Sequence, residues 1–143
     1  MAKFSTPLRT SMLGVSPFKT LMNNCELRIF SGAVPVTADA AQTGTLLATL
    51  KDGGSTALSF GTAADALIAK DPAQTWMTTS VTATGTASHF RLVVIADDGT
   101  TSPAMRVQGT IAKVGADMNL GNVVFTLGLP WTLNYFEVAF PTA

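Results

Sequence analysis

The chain has 143 residues, a formal net charge of zero and one cysteine. That length fits a single domain able to bury roughly 68–70% of its unfolded surface. The charge balance argues against the basic footprint of a nucleic-acid binder, and a lone thiol excludes an intrachain disulfide and a Cys/His zinc cage.

Only 13% of residues are charged and the mean hydropathy is +0.34, against about 25% charged in ordinary soluble domains. Two surfaces satisfy this composition. One is apolar and meets partners; the other is covered by uncharged Thr and Ser hydroxyls. Residues 1–20 contain Lys3, Arg9 and Lys19 and no continuous apolar core of a signal peptide. The longest apolar run, Leu92–Ala96, is too short for a bilayer. The expectation is synthesis in a cytoplasm and no membrane partner.

Residues 1–16 are polar with scattered apolar side chains. Leu8 and Met12 stand one helical turn apart. Ser16-Pro17 reads as an N-cap with proline at the first helical position, opening a short helix over 17–23. Phe4, Leu8 and Met12 would be exposed on a free terminus, so residues 1–24 are expected to form an arm and short helix that dock on a neighbouring subunit; the other reading is a frayed terminus with a short helix packed on its own core.

Residues 25–143 are expected to form one β-sandwich. Glu26–Phe30 alternates polar and apolar residues, the strand signature. Cys25, in phase with Leu27 and Ile29, reads as a buried structural thiol. Residues 31–44 are rich in Gly, Pro, Ala and Thr and predict a long loop. Thr45–Leu50 and Ala57–Phe60 predict strands, the first closed by the Lys51-Asp52-Gly53-Gly54 turn. For 62–70 a short helix or loop is expected, with a strand over 66–69 as the other reading.

Thr78–Ile111 carries the clearest pattern. Two β-branched, apolar runs flank Asp97-Asp98-Gly99 and predict an antiparallel hairpin. Ala87–Ile95 is too apolar for a strand with one wet face. It is the expected central strand, with one face on the core and the other under a helix, a loop or a second subunit. Across the turn, Met105, Val107, Gly109 and Ile111 alternate with Arg106, Gln108 and Thr110. Leu120–Leu127 and Trp131–Phe140 predict two more strands, the last buried on both faces.

Seven to nine short strands at this spacing indicate an all-β fold. An antiparallel β-sandwich or jelly-roll-like barrel is expected, with a short N-terminal helix or arm.

No motif declares a chemistry. His89 is the only histidine. Ser88 adjoins it, but strand neighbours point to opposite faces, so the two are not expected to pair. His89 is read as a solvated or interfacial strand residue, not a catalytic base. Asp97-Asp98-Gly99 lacks calcium-loop spacing and is read as a turn. No phosphate loop occurs. The expected site inventory is therefore no catalytic residue, no metal, no cofactor and no small-molecule substrate. Trp76, Trp131 and Tyr135 would make a sugar platform if exposed and coplanar; at strand spacing they read first as core or interface anchors. The candidate interface residues are Phe4, Leu8, Met12, Trp76, His89, Trp131, Tyr135, Phe136 and Phe140.

Several short words carry a family resemblance. They are Leu27-Arg28-Ile29-Phe30-Ser31-Gly32, Pro35, Thr37-Ala38-Asp39-Ala40 and Thr43-Gly44-Thr45-Leu46-Leu47-Ala48. Thr84-Gly85-Thr86-Ala87, Phe90-Arg91-Leu92, Asp98-Gly99 and Gly109-Thr110 follow. Over about residues 25–128 the chain resembles small β-sandwich structural proteins of tailed-bacteriophage virions. It departs at His89, where such proteins commonly carry a tryptophan, and after residue 113. The resemblance implies a non-enzymatic subunit present in many copies on the capsid surface or the head–tail collar. Its implied partners are itself and other virion proteins. A carbohydrate-binding or host-attachment module is the alternative.

Overall fold

The computed structural model describes residues 1–101 and 103–140. Residues 102 and 141–143 of the expected sandwich lie outside the described residues. The elements in chain order are β1 (Lys3–Phe4), α1 (Thr6–Gly14), α2 (Phe18–Leu21), β2 (Cys25–Ser31), β3 (Thr45–Asp52), β4 (Leu67–Ala69) and β5 (Trp76–Thr78). They continue with β6 (Gly85–Thr86), β7 (His89–Val94), β8 (Arg106–Ala112), β9 (Met118–Asn119), β10 (Val124–Phe125), β11 (Trp131–Leu133) and β12 (Glu137–Ala139).

The fold is all-β and sandwich-like. The main sheet runs β1-β8-β7-β2-β3-β5-β11, with β9 added parallel to β8. It is open at β1 and β11, so the barrel alternative does not hold. Two small antiparallel pairs, β10-β6 and β12-β4, complete the architecture.

The predicted hairpin is present: β7 and β8 pair antiparallel from His89↔Thr110 to Val93↔Arg106. β7 lies between β8 and β2, and alternation sends its side chains to two different environments. On one face Phe90 and Leu92 register with Ile29 and Leu27 of β2 and with Gly109 and Val107 of β8. This face carries the apolar core, joined by Leu8 of α1, Phe18 of α2, Phe60, Trp76 and Phe136. Phe136 meets Phe90 edge-on at 5.7 Å, and Phe60 meets Trp76 at 5.4 Å. Gly109 is required here, because a Cβ would stand 2.5 Å from the Phe90 ring.

The opposite face of β2, β7 and β8 is polar and also buried. It holds Glu26, Arg91, Arg106 and Gln108, with Arg28 half-buried beside them. The cover is the chain's own loop 31–44. Gln108 Nε2 donates to Pro35 O at 2.7 Å. Arg91 Nη2 donates to Ala40 O at 2.9 Å and Thr37 O at 3.3 Å, while its Nε donates to Gln108 Oε1 at 2.8 Å. Arg106 reaches Asp97 through Nε and Nη2, both at 2.6 Å, and its Nη1 lies 3.3 Å from Asp39 O. Loop carbonyls thus take the place of water around two buried guanidinium groups, with Arg91 Nη1 left without a partner among the described residues. Gly44 ends the loop at φ +78, where a Cβ would fall 1.7 Å from Ser31 O.

Burial raises the Asp97 carboxyl, but the Arg106 hydrogen bonds, the Gly99 N–H and the nearby arginine charges outweigh it and hold the group below its ordinary value. Arg91 is pushed down to about 10 by burial and by the charge of Arg106.

Several local expectations are corrected. Residues 57–60 make isolated bridges, Cys25↔Leu58 and Phe60↔Lys70, in place of a strand. Residues 62–70 hold strand β4 rather than a helix; Asp65 and Ala66 turn through positive φ just before it, which no helix allows. Leu120–Leu127 contains only the two-residue strand β10. Trp131–Phe140 is two strands in two sheets, broken at 134–136, so its alternation restarts and Tyr135 is exposed. Pro17, not Ser16, is the N-cap of α2.

Candidate interaction surface

Residues 1–24 pack on their own sheet. β1 pairs with β8 through Lys3↔Gln108 and Phe4↔Val107. Ser5 is the N-cap residue of α1, yet its hydroxyl accepts from Arg106 N at 2.9 Å instead of capping the helix. The first helical N–H is satisfied elsewhere: Thr6 N donates to Asp39 Oδ1 at 2.8 Å, and Thr6 Oγ1 to Asp39 Oδ2 at 2.9 Å. A carboxylate at a helix N-terminus is favourable, and here it ties α1 to loop 31–44. Lys3 Nζ adds a bond to Val36 O at 2.7 Å.

This docking leaves an apolar groove of about 860 Å³ between the N-terminal segment, β9 and β12. Its size is that of a typical binding cleft. Phe90, Val107, Leu120, Leu133 and Phe136 contribute to its lining, as do Phe4, Met12, Leu13, Tyr135 and Phe140 nearer the surface. Phe140 meets Phe4 edge-on at 5.8 Å, and Phe4 stacks on Phe18 at 6.0 Å.

One ion pair lies within the groove, while Arg9 and Glu137 meet neutral hydroxyls. The Met1 amine pairs with Asp117 at 2.9 Å. Arg9 Nη2 donates to Thr6 Oγ1 at 3.0 Å. The Tyr135 hydroxyl donates to the Glu137 carboxylate, which raises the phenol above its ordinary value.

The nine candidate interface residues separate into those at the groove, those buried elsewhere, and Trp131, which is in neither set. Phe4, Met12, Tyr135 and Phe140 come together at this groove; Tyr135 is 65% exposed and Phe140 48%. Phe136 also lines it but is buried in the core cluster. Leu8, Trp76 and His89 are fully buried, so this chain already covers the faces expected to meet a partner. Trp131 is half-buried against Phe125, with ring centres 4.9 Å apart. With Trp76 in the core, the three-ring sugar platform does not form. Sequence reasoning missed Leu13, Leu120 and Leu133, whose α1 and β9–β11 context had no distinctive pattern.

His89 is corrected twice. It is neither solvated nor interfacial, but stacked on Phe30 at 5.1 Å beneath loop 31–44. It also pairs with its neighbour: Ser88 Oγ lies 2.9 Å from His89 Nδ1. The two meet although the Ser88 backbone is held between the neighbouring strands, its N–H donating to Phe30 O and its carbonyl accepting from Ile111 N, each at 2.8 Å, so alternation alone does not keep adjacent polar side chains apart. Ser88 Oγ donates its proton to Gly32 O at 2.7 Å, so Nδ1–H of His89 is the donor between the pair. His89 Nε2 is buried without a partner among the described residues. Burial, reinforced by the charge of Arg91, lowers the imidazole to about 4.

Cys25 is fully buried, and desolvation pushes its thiol up to about 12. Among the described residues, no group of His, Cys, Asp and Glu could hold a metal ion, and no helix is long and apolar enough to cross a membrane. No family model, curated protein or solved structure matches this chain.

Proposed function

We propose that this chain is a non-enzymatic structural subunit of a tailed-bacteriophage virion, assembling in many copies on the capsid surface or the head–tail collar. The observation that carries the reading is the surface. A chain with 13% charged residues presents a concave apolar groove flanked by Tyr135 and Phe140, the kind of surface that marks an association site.

A second observation supports it. The words that carry the virion-protein resemblance meet in space. Pro35, Thr37 and Ala40 supply carbonyls to Gln108 and Arg91, and the Gly99 carbonyl accepts from Gln42 N at 2.8 Å. Residues scattered between 35 and 108 thus build one buried latch, as expected of words that specify a scaffold. The groups that would serve as base and nucleophile point the same way: His89 is held neutral under a loop and the Cys25 thiol is held protonated in the core.

Quantitative mass spectrometry of gradient-purified particles tests the proposal. The expected result is this chain at a fixed, multi-copy ratio to the major capsid protein. Intact particles that lack it would overturn the reading.

A further inference from the structure

We propose that loop 31–44 closes over a bound water molecule, which accepts a hydrogen bond from Arg91 Nη1 and donates one to His89 Nε2. The inference does not depend on the virion reading. It adds an internal ligand to the buried polar layer of β2, β7 and β8.

The polar groups of this layer are matched except at one place. Arg28 pairs with Glu26 at 2.7 Å and Arg106 with Asp97 at 2.6 Å. Arg91 makes no ion pair among the described residues. Its Nε donates to Gln108 and its Nη2 to the carbonyls of Thr37 and Ala40. That leaves Nη1 with nothing to donate to, and His89 Nε2 is likewise alone. Among the described residues these are the only two buried side-chain polar atoms without a partner. The residues that carry them are 1% and 0% exposed.

An orphaned polar group in the interior is costly, more so on a charged side chain. The placement of these two points to a shared remedy. His89 and Arg91 stand two residues apart on β7, so their side chains leave the same face, about 7 Å apart at Cα. The charge of Arg91 is felt at the imidazole. Both also lie beneath one cover. Thr37 and Ala40 roof Arg91, and Ser88, bonded to the His89 ring, is tied to Gly32 O at the start of the loop.

The chemistry of the two atoms selects the occupant. Arg91 Nη1 only donates. His89 Nε2 only accepts, because the ring proton sits on Nδ1 toward Ser88 Oγ, whose own proton goes to Gly32 O. A cation would be repelled by the guanidinium, and an anion would face the Nε2 lone pair. The loop backbone roofs the site with carbonyls, which accept from Arg91 but have no proton for His89. Water is small and neutral, and it both donates and accepts. Buried waters make about three hydrogen bonds each to groups of this kind. The second water proton is left for a carbonyl of the cover, since each carbonyl oxygen has two lone pairs. The water thereby joins β7 to the loop above it.

Crystal structures of the full chain at neutral pH, with and without a sodium bromide soak, test the site. The expected result is a density peak about 2.7–3.2 Å from both Arg91 Nη1 and His89 Nε2, with no anomalous signal after the soak. Continuous density for both side chains with no peak between them overturns the proposal. So does a bromide signal at the site, which would make the ligand an anion, or a protein atom bonded to either nitrogen in place of the peak. His89→Phe keeps a ring against Phe30 and removes the acceptor, and is expected to lose the peak. A peak that stays in that variant would show that His89 does not hold the water and would overturn the bridge. If the variant does not fold, the two wild-type crystals decide.

Discussion

Replacing Arg106 by Met removes the guanidinium that joins three parts of the molecule. The Arg106–Asp97 pair is bidentate at 2.6 Å, with side-chain exposures of 0% and 1%. Arg106 also donates to Thr100 O at 2.7 Å, and its backbone N–H and C=O bond to Ser5. Methionine approximates the stem of the side chain, so the change tests the charge and its hydrogen bonds more than the volume. It leaves the Asp97 carboxylate buried with the Gly99 N–H, at 2.9 Å, as its remaining donor. Breaking one side of a buried ion pair costs about 3–5 kcal/mol, a large share of the roughly 5–15 kcal/mol that holds a domain together. Urea unfolding is expected to show that loss. Limited proteolysis should then cut within loop 31–44, whose carbonyls lose their donor. Arg9→Met is the control, since that exposed side chain makes one bond to Thr6; its cost should stay within about 0.5 kcal/mol. A loss below about 1 kcal/mol for Arg106→Met would refute the latch, because a buried carboxylate cannot lose its cation that cheaply.

Acid should weaken the fold in two windows. His89 titrates near 6.5 unfolded and about 4 folded, so the unfolded chain binds the proton first and stability falls as pH drops from 6.5 to 4, by about 3 kcal/mol. His89→Phe, retaining the ring stacked on Phe30, should flatten that slope in urea melts at successive pH values; an unchanged slope would count against a buried neutral imidazole. Asp97, held below its ordinary value, contributes stability that is lost only on further acidification, and Asp97→Asn should reduce that second loss, leaving the part due to Asp117. Cys25 should resist a thiol reagent in the native state and react at once in denaturant, and native reactivity on mixing would contradict its burial. Gly109→Ala forces a Cβ against Phe90 and the Asp117 Cβ at 2.9 Å and should cost about 1–3 kcal/mol in urea unfolding; a neutral result would show that Phe90 has room to move.

The strands with a face on the core were legible where their pattern was long. Cys25–Ser31, Thr45–Asp52, His89–Val94 and Arg106–Ala112 each run for at least six residues, long enough to show alternation or a sustained apolar, β-branched run. The two- and three-residue strands were not legible, because a pattern of period two needs more residues than they have. The apolar strand His89–Val94 was read as buried on both faces, and it is. Its second cover could not be read, because Arg91, Arg106 and Gln108 look like solvated residues until loop carbonyls are placed over them. Of the groove, the aromatic residues Phe4, Tyr135 and Phe140 were picked out by their chemistry. Their meeting depends on β1 joining β8 across more than a hundred residues of sequence, which no local pattern records.

The central claim is that this chain is a building block of a virion. Antibody labelling of intact particles, imaged by electron microscopy, tests it most directly. The account predicts label at repeated, symmetry-related positions on the capsid surface or around the collar. Particles that carry no label, with the chain recovered only from the unassembled fraction, would contradict it.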